Sequence, residues 1–131
     1  MKISDVMTPC PYKIPSDKNL EEALKFFQLR NIRHIPVVDG DELIGLISLR
    51  EVEMAKFLCD SSGFCPTIGQ LCVNEPTIVT SNTPLAEVTQ VMADKKNDCV
   101  LVADDDGTFV GIFTTTDVCK VVKLLLDQNK T

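Results

Sequence analysis

The chain of 131 residues contains no tryptophan, one histidine and few aromatic side chains, which make up 5% of its residues. The scarcity of aromatic side chains argues against a stacking surface for single-stranded nucleic acid. A hydrolytic triad would have to use the single histidine, His34, and no serine or cysteine lies in a nucleophile-elbow motif. The sequence therefore indicates no catalytic residue and no enzyme.

Long apolar runs are also missing from the sequence. No stretch of about 18 apolar residues occurs, so we expect no segment to span a membrane. The first residues lack the apolar core of a signal peptide. We therefore expect a cytoplasmic protein that has no membrane partner.

Positive charge is scarce, because 13 lysines and arginines face 19 aspartates and glutamates, for a net charge of −6. No basic cluster exceeds the pair Lys95-Lys96. A protein that follows a phosphate backbone carries a basic stripe, so the charge pattern argues against nucleic acid as a partner. An anionic ligand would have to be held by locally placed cations or by backbone amides.

The chain consists of two similar halves. Ile35–Asp39 leads through a polar turn into Leu43–Ser48 and then a helix-like segment, and Val100–Asp104 leads in the same way into Phe109–Thr114. Equivalent residues lie 65 positions apart up to the turn of the hairpin and 66 positions apart after this turn. The extra residue falls in the turn of the second hairpin, where changes of length are best tolerated. This register indicates an internal duplication, with too few copies and too long a period for a solenoid.

Apolar periodicity predicts two helices in each half. Leu20–Leu29 and Leu49–Cys59 have helical spacing in the first half. In the second half, Pro84 begins one helix, and Thr116-Asp117 begins another that frays from Asp127. Together with the strands, this spacing gives each half the order β-α-β-β-α.

This order predicts an α/β (α+β) fold built from two repeats. Each half of about 65 residues is marginal alone, so we expect the halves to pack through their sheets with pseudo-twofold symmetry. The seam between them would then offer two related clefts for a ligand. The expected organisation is a first repeat at 1–60, a linker at 61–67 and a second repeat at 68–127.

The cysteines form no pair of the C-x-x-C type that zinc sites usually contain, so we expect no metal site. Free thiols in a reducing compartment are the expected state. A disulfide between Cys59 and Cys65, which flank the linker, stays open. A thiol- or metal-responsive regulator that uses these two residues and Cys72 is a further alternative. The six cysteines are at positions 10, 59, 65, 72, 99 and 119.

Candidate chemistry is concentrated in the segment from Gly111 to Asp117, where a strand ends, hydroxyls follow and a helix begins with a carboxylate. Amides and hydroxyls at such a corner can bind a polar ligand. The Asp117 carboxylate could accept two hydrogen bonds from a vicinal diol. In the alternative interpretation, Thr116 or Asp117 caps the last helix and contacts no ligand.

This duplicated segment, together with Arg33–Asp39 and Asp5–Pro9, resembles a tandem pair of cystathionine-β-synthase (CBS) domains, called a Bateman module. The resemblance covers about residues 1–126 and implies the β-α-β-β-α fold. It also implies a regulatory role, with adenine nucleotides or adenosyl compounds bound in the clefts between the repeats. AMP, ADP, ATP or S-adenosylmethionine would be the regulatory ligand, and no cofactor is required.

In the second repeat, the resemblance implies that Thr114 and Asp117 hold the ribose hydroxyls, with Thr116 close by. Asp98 lies near the expected phosphate position and would repel a phosphate group. The base would lie against three residues of the short strand and the hairpin, namely Ile78, Cys99 and Val100.

The first repeat departs from the pattern of the family. Ser48 is retained, but Arg50 and Glu51 stand where a hydroxyl and an aspartate are expected. Arg33 and His34 lie in the region that contacts phosphate in the family, or else form a solvated start of the strand. The second repeat thus keeps the ribose anchor, and the first repeat keeps the cations.

The resemblance also implies a homodimer, because modules of this family pair through exposed helix faces. The helices that carry Phe26/Phe27 and Val121/Leu125 could supply apolar area for this contact. A protein target is implied but not identified. A rival function is a structural dimerisation or adaptor module whose ligand sites are degenerate, which the departures at Glu51 and Asp98 favour.

Overall fold

The structure, a computed structural model, describes residues 1–9, 12–74 and 76–129. This part of the chain forms five α-helices and two four-stranded sheets, which confirms the predicted mixed α/β class. The chain divides into two compact units. We call them the middle unit (Tyr12–Pro76) and the terminal unit (Met1–Pro11 together with Thr77–Thr131).

The main helices and strands occur in the predicted order β-α-β-β-α in each half, and the short elements Thr8–Pro9, Ile68–Leu71 and Val73–Asn74 are additional to it. A 3-10 turn at Ile3–Asp5 precedes them. In chain order they are β1 (Thr8–Pro9), β2 (Ile14–Pro15), α1 (Leu20–Arg30), β3 (His34–Asp39), β4 (Glu42–Ser48), α2 (Leu49–Ser62), α3 (Ile68–Leu71), β5 (Val73–Asn74), β6 (Ile78–Thr80), α4 (Leu85–Lys95), β7 (Cys99–Ala103), β8 (Phe109–Thr114) and α5 (Thr115–Gln128).

The middle unit is built on the sheet β2-β3-β4-β5, in which β2 and β3 are parallel and the other pairs antiparallel. The hairpin between β3 and β4 turns at Gly40, whose φ of +62° favours glycine. Alternate residues of the strands and the apolar faces of α1 and α2 form one core. Its members are Ile14, Leu20, Ala23, Phe27, Ile35, Val37, Ile47, Val52, Ala55, Ile68 and Cys72.

The terminal unit is built on the sheet β1-β8-β7-β6. Its edge strand β1 comes from the N-terminus and pairs antiparallel with β8, with Thr8 opposite Ile112. Backbone hydrogen bonds from Ile3 N to Thr83 O (2.9 Å) and from Leu85 N to Met1 O (2.8 Å) fix the residues before β1. The buried core consists of Ile3, Val88, Met92, Val100, Val102, Phe113 and Val121.

The compact units do not coincide with the sequence repeats. The first residues of the chain pair with β8 of the second half, and β5, which follows the linker, pairs with β4 of the first half. Each unit therefore takes its short edge strand from the opposite half of the sequence. The repeat boundaries 1–60, 61–67 and 68–127 remain a prediction from the sequence.

The last helix differs from its prediction at both ends. It begins at Thr115, one residue before the predicted start, because Thr114 is the N-cap. It continues to Gln128, whereas fraying was predicted from Asp127. An ion pair at helical spacing, Lys123 Nζ to Asp127 Oδ2 at 2.6 Å, stabilises this turn. Lys130 and Thr131 lie outside the described residues.

Of the residues predicted to supply a dimer contact, two are buried and two are at least partly exposed. Phe27 is 1% exposed and Val121 is 8% exposed, and both pack in a core. The expectation that these two side chains offer apolar contact area is therefore wrong. Their neighbours differ, since Phe26 is half-buried and Leu125 is 45% exposed.

Cys59 and Cys65 form a disulfide, which corrects the expectation that all thiols are free. Cys59 lies in the last turn of α2, and Gly63, with a φ of +81°, ends this helix and turns the chain back toward Cys65. In contrast, Cys72 is buried and Cys119 is exposed as thiols, and Cys10 lies outside the described residues. This disulfide was the alternative to free thiols that the sequence did not exclude.

Alkylation of the native protein should distinguish the thiols. We expect iodoacetamide to label Cys119 quickly and Cys72 slowly, because burial raises the pKa of the Cys72 thiol and limits access to it. Cys59 and Cys65 should react only after reduction, which should also lower the free energy of unfolding by about 2 kcal/mol. Peptide mass spectrometry gives the labelling site by site. Rapid labelling of Cys59 and Cys65 without a reductant would contradict the disulfide.

The described residues include neither a candidate membrane-spanning helix nor a cluster of metal-binding side chains. No helix within residues 1–9, 12–74 and 76–129 is long and apolar enough to cross a membrane. The same residues contain no group of three or more histidine, cysteine, aspartate or glutamate side chains that could hold a metal ion. Of the three cysteines in the alternative metal site, two are instead bonded to each other.

Candidate functional site

The candidate site of the terminal unit is the corner where β8 ends and α5 begins. Thr114 is both the last residue of β8 and the N-cap of α5. The Thr115 amide donates a hydrogen bond to the backbone oxygen of Asp98 at 3.0 Å, which attaches the start of the helix to the residue before β7. This corner places Thr114, Thr116 and Asp117 on the first turn of a helix, whose N-terminal amides favour a polar or anionic group.

Asp117 is the one buried polar or charged residue in the described part of the chain, at 4% exposure. Its Oδ2 accepts hydrogen bonds from the backbone amide (3.0 Å) and the hydroxyl (3.3 Å) of Thr114. Its Oδ1 accepts a hydrogen bond from the hydroxyl of Thr8 at 2.8 Å. Asp117 thus has the capping role that the sequence left open, although the N-cap itself is Thr114 rather than Thr116 or Asp117.

The other residues assigned to the second-repeat site differ in exposure. Thr116 is exposed on the first turn of α5, and Ile78 on β6 is 49% exposed. Cys99 is 8% exposed, and Val100 is fully buried in the core. Ile78 is therefore the member of the predicted base-binding set that presents substantial apolar surface.

The middle unit contains the same corner with different side chains. Ser48 is the N-cap of α2, and the Leu49 amide donates to the backbone oxygen of Arg33 at 2.8 Å, as Thr115 does to Asp98. Glu51 Oε1 accepts from the Ser48 amide (3.0 Å) and hydroxyl (2.8 Å). His34 pairs with Ser48 across β3 and β4, so four of the predicted first-repeat residues lie together at this corner.

The two corners carry opposite charge. In the middle unit, Arg33 and Arg50 are exposed beside the half-buried Glu51. In the terminal unit, the equivalent positions hold the exposed Asp98, the exposed Thr116 and the buried Asp117. Hydrogen bonds join Thr114 and Asp117 at the terminal-unit corner, and Ser48 and Glu51 at the middle-unit corner. The assignment of a ligand to either corner remains a prediction.

Thr8 also lies at this corner, although it was not among the site residues predicted from the sequence. Its hydrogen bond to Asp117 joins residues that are 109 positions apart. Gly111 gives the one sequence signal for this contact, since a Cβ at this position would lie 2.9 Å from the carbonyl oxygen of Thr8. A glycine inside a strand often marks such a close backbone approach.

Comparison with curated proteins finds relatives that are longer than this chain. An inosine-5′-monophosphate dehydrogenase of Nitrosopumilus maritimus is 26% identical over 114 residues, which are 86% of this chain and 22% of that protein. The zinc metalloprotease MJ0392 of Methanocaldococcus jannaschii is 26% identical over 125 residues, which are 95% of this chain and 33% of that protein. The chain thus spans about a third or less of the length of these two relatives.

Comparison with solved structures finds the same fold over nearly the whole chain. The CBS domain pair of protein MJ0100, in complex with 5′-methylthioadenosine and S-adenosyl-L-methionine, superposes with a TM-score of 0.80 and 23% identity, covering 94% of this chain and 96% of that one. CBSX2 in complex with AMP superposes with a TM-score of 0.75 and 22% identity, covering 95% and 97%. Identities this low establish the fold alone.

The sequence itself matches the family model for the CBS domain twice, at residues 3–55 and 68–124. These two matches cover most of the chain and both corners described above. The chain therefore belongs to the CBS domain family and contains a pair of CBS domains.

Proposed function

We propose that this chain is a regulatory module without catalytic activity that binds an adenine nucleotide or an adenosyl compound at the Asp117 corner. The burial of Asp117 carries the proposal. Glu22 has the same position in the capping box of α1 and is exposed, so capping alone does not require burial. A carboxylate held in a low-dielectric corner forms strong hydrogen bonds to a diol.

The apolar part of the ligand has a surface to contact. Ile78 is 49% exposed on β6, and β6 is the neighbour of β7 in the same sheet. Partial burial of an adenine against this side chain would contribute a few kcal/mol at ~25 cal/mol per Å². Together with hydrogen bonds to the ribose, this contribution suits micromolar affinity, which corresponds to roughly −8 kcal/mol.

The ligands of similar proteins support the same chemical class. The structure of the MJ0100 domain pair contains 5′-methylthioadenosine and S-adenosyl-L-methionine, and that of CBSX2 contains AMP. Binding would regulate by population shift, in which the ligand stabilises one conformation that a protein target recognises. The target is not identified.

The corner of the middle unit is proposed as a second, weaker site. Arg33 and Arg50 are exposed there and would attract a phosphate group, with His34 and Ser48 beside them. Glu51 is longer by one methylene than aspartate, and its Oε1 is engaged by Ser48. We therefore expect this corner to select ligands by phosphate charge rather than by the ribose diol.

Isothermal titration with AMP, ADP, ATP and S-adenosylmethionine tests the proposal. We expect at least one of the four to bind with micromolar affinity. Replacing Arg33 and Arg50 with alanine should weaken only the ligands that carry phosphate. Absence of binding by all four at millimolar concentration would contradict the proposed function.

The rival function is a structural dimerisation or adaptor module, and the exposed apolar surface of the middle unit favours it. A pocket of about 300 Å³ is lined by Ala55, Leu58, Phe64, Pro66 and other residues of that unit. Phe64 is 72% exposed and Phe57 on α2 is 73% exposed. A homodimer in light scattering, combined with no rise in Tm for any nucleotide, would support the adaptor over the sensor.

A further inference from the structure

The Thr8 hydroxyl occupies the oxygen of Asp117 that a bound diol would need. Oδ2 of Asp117 already accepts two hydrogen bonds from Thr114 within the helix cap, so a ribose diol that binds this carboxylate has to use Oδ1. The donor to Oδ1 in the described residues is Thr8, at 2.8 Å. Thr8 is exposed whereas Asp117 is 4% exposed, so Thr8 is the member of this hydrogen-bonded pair that contacts solvent more.

The corner does not need this hydroxyl in order to fold. In the middle unit, β5 pairs with β4 so that Val73 lies opposite Leu46, as Thr8 lies opposite Ile112 in the terminal unit. Valine has no hydroxyl, yet Ser48 and Glu51 still form a complete capping box. The hydrogen bond from Thr8 is therefore separable from the cap and is found in one of the two corners.

The strand that carries Thr8, β1, is the shortest strand of its sheet and, within the described residues, pairs with one neighbour only. β1 has two residues and forms the edge of the sheet, with the Thr8 side chain linking it to α5. The residues before it are attached elsewhere, by backbone hydrogen bonds to Ser81, Thr83 and Leu85. Release of Thr8 would thus loosen β1 while the preceding turn stays in place.

We propose that Thr8 is a competing hydroxyl, which holds the diol position of Asp117 in the free protein and is displaced by the ribose of the ligand. The proposal rests on the function proposed above. Displacement releases β1 from α5, so ligand occupancy is transmitted to the N-terminal segment. By linkage, a contact that stabilises the docked position of β1 weakens ligand binding. The ligand weakens that contact by the same factor.

The variant Thr8→Val removes the hydroxyl and keeps the shape of the side chain. The ligand for the test is adenosine, because it has the ribose diol but no phosphate. We expect isothermal titration to show affinity for adenosine about three- to tenfold higher than in the wild type, because the competing hydrogen bond is absent. Thr8→Ser retains the hydroxyl and should behave as the wild type does. Thr89→Val is the matched control, since the Thr89 hydroxyl bonds only to its own helix, at Ala86 O.

Hydrogen exchange provides the second measurement. In the wild type, adenosine should speed amide exchange in peptides that cover residues 6–8 and 109–113. In Thr8→Val, exchange there should already be fast, and adenosine should change it little. Unchanged or lower affinity in Thr8→Val, while the wild type binds adenosine, would overturn the competing role and leave the proposed function standing. Absence of adenosine binding by both proteins would overturn the competing role, and the titration with AMP, ADP, ATP and S-adenosylmethionine shows separately whether the proposed function fails.

Discussion

Asp117→Ala is expected to weaken adenosine binding by at least about a hundredfold, because two hydrogen bonds to a charged group are lost, each worth about 1.5–3 kcal/mol. The same change should lower the free energy of unfolding by about 1–3 kcal/mol, since the Thr114 amide loses its acceptor and Thr8 loses its partner. Isothermal titration and thermal unfolding measure the two effects separately.

Two further variants separate binding from folding. Asp117→Asn keeps the shape of the side chain and one acceptor, so it should lose binding with a smaller loss of stability. Glu22→Ala removes the equivalent capping residue of α1 and should lower stability by up to about 1 kcal/mol without any effect on binding. Binding that survives Asp117→Ala unchanged would remove this corner as the site.

Gly111→Ala is expected to destabilise the protein by about 1–3 kcal/mol through overpacking, and to detach β1 from β8. The added Cβ would lie 2.7 Å from the sulfur of Met7 and 2.9 Å from the carbonyl oxygen of Thr8. The Met7 side chain can rotate away, but the Thr8 carbonyl belongs to the backbone of the paired strand. Thermal unfolding should show a fall in Tm of several °C.

Gly107→Asn is the control in the turn of the same hairpin. A Cβ at position 107 meets nothing within 4 Å, and asparagine tolerates the positive φ of +86° better than other residues do. We expect a loss of at most about 1 kcal/mol, which comes from the positive φ alone, and no effect on the pairing of β1 with β8. Equal stability of Gly111→Ala and the wild type would mean that β1 does not approach β8 as closely as described.

The helices were predictable because each has a clear apolar period, and the long strands because each is a short apolar run next to a polar turn. Leu20, Ala23 and Phe27 are one buried face of α1, and the duplication carried this assignment to α4. The pairing of β1 with β8 was not predictable from local pattern. A two-residue strand has no period, and its partner lies about a hundred positions away, so tertiary contact alone decides the pairing.

The residue types of the candidate site were predictable, but their burial was not. Any of the three residues Thr114, Thr115 and Thr116 could be the N-cap by residue type. Thr114 is the N-cap because β8 ends there. The resemblance to CBS domains identified Asp117, while the hydrogen bond from Thr8 depends on the position of β1. Val100, which the resemblance to CBS domains places against the base, is fully buried in the core, because β7 is buried along almost its whole length.

The most direct test compares adenosine with 2′-deoxyadenosine by titration of the wild-type protein, because the two differ by a single ribose hydroxyl. If Asp117 grips the diol, adenosine should bind at least about tenfold more tightly, since an unpaired polar group in the site costs this much. The amide resonances of Thr114–Asp117 should shift only with adenosine. Equal affinity for both nucleosides would contradict the assignment of the diol to Asp117.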